Sequence, residues 1–315
     1  MSDKLIAVVG ATGAQGGGLA RAILAHPASG LSVRALTRKT TSDAALALSR
    51  AGAEVMEADL DDVESLVAAF TGAYGVFGVT NFWEHFSAER ELQQATNIAD
   101  AAKRAGVQHV VWSTLEDTRR FMTLDDPRMP TLHGKYKVAH LDVKGEADAE
   151  FTKRGVPTTN LLTSFYWENF IHFGMGPAKG EDGVLSITFP MGDKPLPGIA
   201  VEDIGRAAFA IFEAGDRYIG KNVGIAGEHL TGSQMAAAFS EALGAPVRYN
   251  DIPADVYRTF PFPGADDLGN MFQFFRDFND AFAAARSPAS SRELVPGMQT
   301  FKQWLAANAS RLPMG

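Results

Sequence analysis

His140 and Lys144 stand four residues apart, the spacing that puts two side chains on one face of a helix. A lysine beside a proton donor lowers the donor's effective pKa and lets it work as an acid or a base. Four residues before Lys144 the donor on offer is an imidazole, not a phenol. Tyr136 lies eight before Lys144, about 12 Å away along a helix that rises ~1.5 Å per residue, near the same face but beyond reach of the ammonium. Histidine is the residue type whose ring can give or take a proton near neutral pH. His140 either supplies the proton or packs and hydrogen-bonds between its helix and a ligand. Ser113 follows the strand-like run 107–112. It either polarises a carbonyl or satisfies nearby backbone. Lys144 is the sturdiest of the three, because holding a ligand needs only a positioned donor.

A second group of residues could hold an anion. Gly10-Ala11-Thr12-Gly13-Ala14-Gln15-Gly16 follows the apolar run Leu5–Val9 and precedes the helical spacing of Leu19, Ala22 and Ile23. Strand, glycine turn and helix start in that order make a phosphate cradle. Helix N-termini leave N–H groups unpaired with partial positive charge, and glycines let a pyrophosphate approach. The spacing is G-x-x-G-x-x-G, with Gly16-Gly17-Gly18 expected to open the helix. Each glycine costs roughly 1 kcal/mol against alanine in a helix, so three together imply a close approach by a ligand or a strand. The second strand-like run, Leu31–Thr37, ends in Arg38-Lys39-Thr40 rather than an acidic residue. Cations and hydroxyls suit a ribose 2′-phosphate, and Arg38, with its planar fork, suits it better than Lys39. The expected ligand is therefore NADP(H) rather than NAD(H); the plainer alternative is a solvated basic loop.

The elements that must position these residues alternate regularly. Strands are expected at 31–37, 54–57, 74–79 and 107–112, and helices at 42–50, 63–70 and 87–104. Such βα alternation implies right-handed crossovers and an α/β, Rossmann-type doubly wound parallel sheet, with ligands at the carboxyl ends of the strands. Asp59, Thr80, Asn81 and Ser113 fall at those ends. Beyond Ser164 the pattern loosens, and 15 of the 21 phenylalanines lie there. That bias points to a smaller α+β lobe over 164–315 beside a Rossmann domain over 1–163, with 199–226 free to return to the sheet. The aromatic excess suits a flat substrate or an oligomer interface such as a homodimer, or simply fills a core. Helices are expected at 201–213, 233–243, 267–283 and 300–307, and strands at 159–162 and 222–225. Residues 116–136, with Pro127, Pro130 and Gly134, suggest a loop that orders over the site.

Bulk properties exclude other classes. A net charge of −8 and the absence of long basic runs argue against a nucleic-acid groove. There is no cysteine, so disulfides, thiol catalysis and cysteine-ligated metals are out. The seven histidines form no H-x-x-x-H or H-E-x-x-H set, and no metal site is expected, although His133 and His140 could share a helix face. Asp59, Asp61 and Asp62 look like a capped helix start, and a G-x-S-x-G elbow is absent. The first strand begins too early to leave room for a signal peptide, and no apolar run reaches the ~18 residues of a membrane helix, so a cytoplasmic protein is expected.

Several longer motifs carry a resemblance. Gly10–Gly17, Thr37-Arg38, Gly52–Val55, Val79-Thr80-Asn81-Phe82-Trp83-Glu84, Tyr166–Asn169 and Phe262–Phe272 resemble the NmrA-like family of atypical short-chain dehydrogenases, most closely its HSCARG-type NADP-sensing branch. The resemblance implies that Gly10, Thr12, Gly13, Gln15 and Gly16 line a pyrophosphate and that Arg38 holds the 2′-phosphate. It implies that Asp59 and Leu60 border adenine, Thr80 and Asn81 flank the nicotinamide ribose, and Lys144 reaches that ribose. Regulators in this family bind the dinucleotide without turnover, whereas related branches reduce substrates with NADPH. Typical short-chain dehydrogenases place Tyr four residues before the lysine, and its absence before Lys144 favours a redox sensor with a regulatory protein partner. The alternative is an NADPH-dependent reductase of a small aromatic, quinone-like or conjugated compound, for which Phe82, Trp83, Phe165, Tyr166, Trp167 and Phe170 would supply a pocket.

Overall fold

Strand β1 (Lys4–Val8) sits near the middle of a seven-stranded sheet because its apolar residues Ile6, Ala7 and Val8 are wholly buried. Such two-faced burial is the habit of parallel strands covered by helices on both sides. The computed structural model describes residues 4–180 and 182–313. The chain passes on through α1 (Ala14–Ala25), β2 (Leu31–Thr37), α2 (Asp43–Arg50), β3 (Glu54–Glu57), α3 (Val63–Phe70), β4 (Gly75–Gly78), α4 (Ala88–Arg104), β5 (His109–Thr114), α5 (Ala139–Lys153) and β6 (Thr158–Leu162). The sheet order is β6, β5, β4, β1, β2, β3, with the edge strand Asn222–Gly224 beyond β6. The β1–β2, β2–β3, β1–β4, β4–β5 and β5–β6 pairs are all parallel. The expected doubly wound Rossmann-type sheet is therefore the fold. Its strand order reverses between β1 and β4, and ligands bind at such a reversal.

Local chemistry explains the boundaries. Ser42, Asp62 and Ser87 each accept a backbone N–H from the first turn of α2, α3 and α4. Gly52, which follows α2, sits at φ +105°. The three glycines of α1 meet different neighbours. The helix opens at Ala14, two residues before the expected Gly16, because Gly13 takes the extended N-cap conformation. Gly18 meets helix Val201–Glu213, where a Cβ built on Gly205 would stand 2.2 Å from the Gly18 carbonyl carbon. Two helix backbones touch there, which explains part of the glycine run without any ligand.

The chain divides into two compact units. The first holds the residues up to Asp117, Val143–Leu162 and Val201–Val223; the second holds Thr118–Asp142, Thr163–Ala200 and the residues from Gly224 onward. The second unit contains two three-stranded sheets and a set of helices. The helix expected at 267–283 is two helices, Ala265–Asp277 and Asn279–Ala284, because Asn279 turns its amide onto the Pro195 and Phe275 carbonyls. Among the described residues no helix is long and apolar enough to cross a membrane.

Candidate functional site

The turn after β1 brings glycine backbone to the surface at Gly10 and Gly13. Gly10 has φ +63°, a left-handed conformation that glycine adopts without strain, and its carbonyl accepts from Gly13 N at 2.8 Å. Gly10, Thr12 and Gly13 are exposed, Gln15 is half-buried and Gly16 is buried. A Cβ on Gly16 would stand 2.5 Å from the Val9 carbonyl oxygen and 2.6 Å from that of Gly10. The helix can pack this tightly onto the strand end only with hydrogen there. Gly13 caps α1 with no side-chain hydrogen bond, and the first turn carries no acidic residue. Amide donors and the positive end of the helix dipole are thus left for an anion, which fits a pyrophosphate.

Arg38 and Lys39 follow β2, and both are exposed. Arg38 Nη1 donates to Glu84 Oε1, and that hydrogen bond holds the guanidinium above its usual pKa range. Glu84 belongs to a short 3₁₀ turn, Phe82–Glu84, that follows β4. Asp59 Oδ1 accepts from Asp61 N at 3.0 Å, and Leu60 is half-buried with its carbonyl taken by Asn97. Arg90 grips Asp61 through Nε and Nη2, which depresses the Asp61 carboxyl.

Lys144 is buried, with its side chain 11% exposed. Its Nζ lies 3.1 Å from Thr80 O, 2.9 Å from Thr80 Oγ1 and 3.0 Å from Glu91 Oε1. Two of the three ammonium N–H groups donate to Thr80, and the charge is ion-paired with the Glu91 carboxylate. Thr80 Oγ1 donates onward to Glu91 Oε1 at 2.6 Å. On the other side of the carboxylate, His85 Nε2 stands 3.4 Å from Glu91 Oε2. Ser87 N donates to His85 Nδ1 at 3.1 Å. We therefore assign the imidazole proton to Nε2, facing the carboxylate. Lys144 also lies over the Trp112 ring, 5.4 Å from its centroid. Asn81 is exposed beside this group. Ser113 lies at the carboxyl end of β5 as its last residue but one, because pairing with β6 continues through Ser113–Leu161 and Thr114–Leu162.

His140 and Lys144 share α5, one turn apart, as the spacing requires. Tyr136 does not. The helix begins at Ala139, and Tyr136 bridges to Leu132 instead, so the phenol has no place on the lysine helix. His133, with φ +51°, is also outside the helix and shares no face with His140. Within the second unit, Asp267 accepts from both His140 Nδ1 and Ala139 N. Tyr166 is no substitute acid: burial pushes its phenol up to about 12, and its hydroxyl pairs with Thr163 Oγ1 at 3.2 Å. Residues 118–142 are pinned to the Ala265–Asp277 helix, where Asn270 donates to Pro130 O and Gln273 to Arg128 O.

The NmrA-like family profile matches residues 2–305. The chain belongs to the NmrA-like family. It is 31% identical over 291 residues to the NmrA-like family domain-containing oxidoreductase FrzB of a Cladobotryum species, covering 86% of this chain and 83% of that one. Among solved structures, the negative transcriptional regulator NmrA in complex with NADP superposes with a TM-score of 0.77 at 25% identity, covering 97% of this chain and 95% of the other. Triphenylmethane reductase of a Citrobacter species shares the fold, with a TM-score of 0.74 at 20% identity over 98% of this chain and 99% of the other.

Against the NmrA-like pattern, the first unit brings together Gly10 to Gly16, and separately Thr80 with Lys144. The aromatic residues belong to both units. Phe82 packs with Trp83 and Phe86 in the first unit. In the second, Trp167 and Phe170 are fully buried against Phe301, Trp304 and Phe239, so they form core rather than a pocket wall. Sequence reasoning missed Glu84, His85, Glu91 and Asp267. Two of them left a signal. Glu91 lies on the stripe of Ala95, Ile98 and Ala102, and Asp267 on that of Met271 and Phe274, where an acid is out of place unless paired.

Proposed function

We propose that this NmrA-like protein binds NADP(H) and acts as a redox-responsive sensor or regulator with little or no turnover, as the HSCARG-type resemblance implies. Thr12, Gly13, Gln15 and Gly16 would line the pyrophosphate, and Arg38 with Lys39 would hold the 2′-phosphate. Asp59 and Leu60 would border adenine, while Thr80, Asn81 and Lys144 would flank the nicotinamide ribose. When bound, the dinucleotide supplies a hydride donor or acceptor. The observation that carries the regulatory reading is the closed state of Lys144. Its Nζ donates twice to Thr80 and is ion-paired with Glu91, and no phenol stands on its helix. A ligand that recruits the ammonium would compete with these contacts, which would make two states of the segment from Thr80 to Glu91. A sensor needs such a pair, because a ligand shifts an equilibrium only by binding its two states differently.

A second reading, an NADPH-dependent reductase of a conjugated or quinone-like substrate, draws support from the His140–Asp267 pair and from the oxidoreductase names of relatives such as FrzB. An imidazole whose Nδ1 is held by a carboxylate is oriented for proton transfer from its other nitrogen. NADPH oxidation followed against quinones, aldehydes, imines and triarylmethane dyes separates the two. No turnover together with nucleotide-dependent protection from proteolysis supports the sensor. Steady turnover that Lys144→Ala or His140→Ala abolishes overturns it.

A further inference from the structure

Glu84 stands where a nucleotide phosphate would be expected to find a free arginine. The residue after β2 reads the 2′ position of the adenosine ribose in sheets of this kind, and Arg38 occupies it. Its Nη1 is already hydrogen-bonded to the Glu84 carboxylate. The surrounding charges are balanced in the same way: Arg90 is held by Asp61, and Asp59 acts on Arg38 through space. The pair is partly exposed, with side chains 60% and 43% accessible. It is therefore weak enough to exchange, since exposed ion pairs are worth little.

We propose that Glu84 is a specificity-determining residue that competes with the 2′-phosphate for Arg38, narrowing the preference for NADP(H) over NAD(H). The proposal rests on the dinucleotide reading above. The chemistry is asymmetric. A 2′-phosphate carries negative charge and must displace the carboxylate from the guanidinium. A 2′-hydroxyl carries none, and it can donate to a carboxylate that remains in place. Glu84 thus opposes one nucleotide and tolerates the other. It also ties the site to the chain beyond: Thr80, four residues earlier, holds Lys144, and His85, the next residue, faces Glu91. Exchange at Arg38 therefore acts on the same short segment that closes Lys144.

The test is calorimetric titration of NADP⁺ and NAD⁺ into the full chain and into Glu84→Gln, Arg38→Ala and the double variant. Glu84→Gln should tighten NADP⁺ by about 3- to 10-fold, the range set by losing an exposed carboxylate beside a charge-assisted bond. NAD⁺ should bind unchanged or more weakly. In the Arg38→Ala background the gain should shrink, because no guanidinium remains to be released. An unchanged NADP⁺ to NAD⁺ ratio in Glu84→Gln, or an equal gain without Arg38, overturns the proposal and leaves dinucleotide binding intact. Failure of the unaltered protein to bind either nucleotide removes the dinucleotide reading and this inference with it.

Discussion

Replacing Glu91 by leucine tests the closed Lys144 cluster most directly. The Glu91 side chain is 1% exposed and that of Lys144 is 11% exposed, so the pair is withdrawn from water. Deleting the carboxylate leaves a buried ammonium with only the two oxygens of Thr80 and the Trp112 ring around it. Breaking a buried pair from one side costs about 3–5 kcal/mol, because the remaining charge is uncompensated. Lys144→Met should cost a similar amount, since Glu91 would keep Thr80 Oγ1 and His85 but lose its cation. The double variant removes both charges. It should lose only about 1–3 kcal/mol, chiefly for the Thr80 hydroxyl left without its acceptor. The expected coupling is therefore at least about 3 kcal/mol, large for neighbouring residues. Urea unfolding followed by tryptophan emission and by circular dichroism measures all four proteins, and agreement of the two probes checks that one transition is being read. Against a typical total of about 5–15 kcal/mol, a loss of this size moves the urea midpoint far enough to be read without ambiguity. The reasoning is refuted if Glu91→Leu stays within about 1 kcal/mol of the parent, or if the double variant costs the sum of the singles.

Three further perturbations reach other parts of the fold. Gly205→Ala places a Cβ 2.2 Å from the Gly18 carbonyl carbon, forcing α1 and helix Val201–Glu213 apart. Overpacking of this kind costs about 1–3 kcal/mol, to be read as a lowered Tm, with weakened nucleotide binding because α1 carries the cradle. His109 is fully buried against Thr159, and burial pushes it down to about 4 from 6.5. Because the folded value is the lower one, the unfolded chain takes up the extra proton between pH 6.5 and 4. Stability is then full above that window and falls by about 3 kcal/mol as the pH drops through it. His109→Gln should flatten this acid limb in a pH series of urea midpoints. Asp267→Asn should cost about 1.5–3 kcal/mol, the worth of hydrogen bonds to a charged acceptor, measured by thermal unfolding.

Most of the first unit was legible because its information is local. The run Leu5–Val9 ends in glycines that admit one backbone path, Ser42, Asp62 and Ser87 announce their helices, and the strand–helix period repeats until β5. The second unit was less so, since its strands are two to four residues long and carry little pattern. Tyr136 shows the limit of periodicity: the eight-residue spacing to Lys144 fits a helix, yet the Asp142 carboxylate accepts from Lys137 N and Val138 N and so caps α5 before it reaches Tyr136.

The partners of the chemistry were harder still to foresee. A glutamate three residues into a helix reads as a solvated charge favouring the dipole. Only the sheet order, which sets α4 against the strand end that holds Thr80, turns Glu91 into the counter-ion of a lysine fifty-three residues later. The same holds for Glu84 and Arg38, forty-six residues apart. Residue type and spacing singled out Arg38 and Lys144 as candidates, and the fold supplied the acids that hold them. For a sensor the acids matter as much, because a cation with no competing partner would bind its ligand in one state only. Glu84 and Glu91 give Arg38 and Lys144 something to exchange, and both lie on the single stretch of chain that leaves β4.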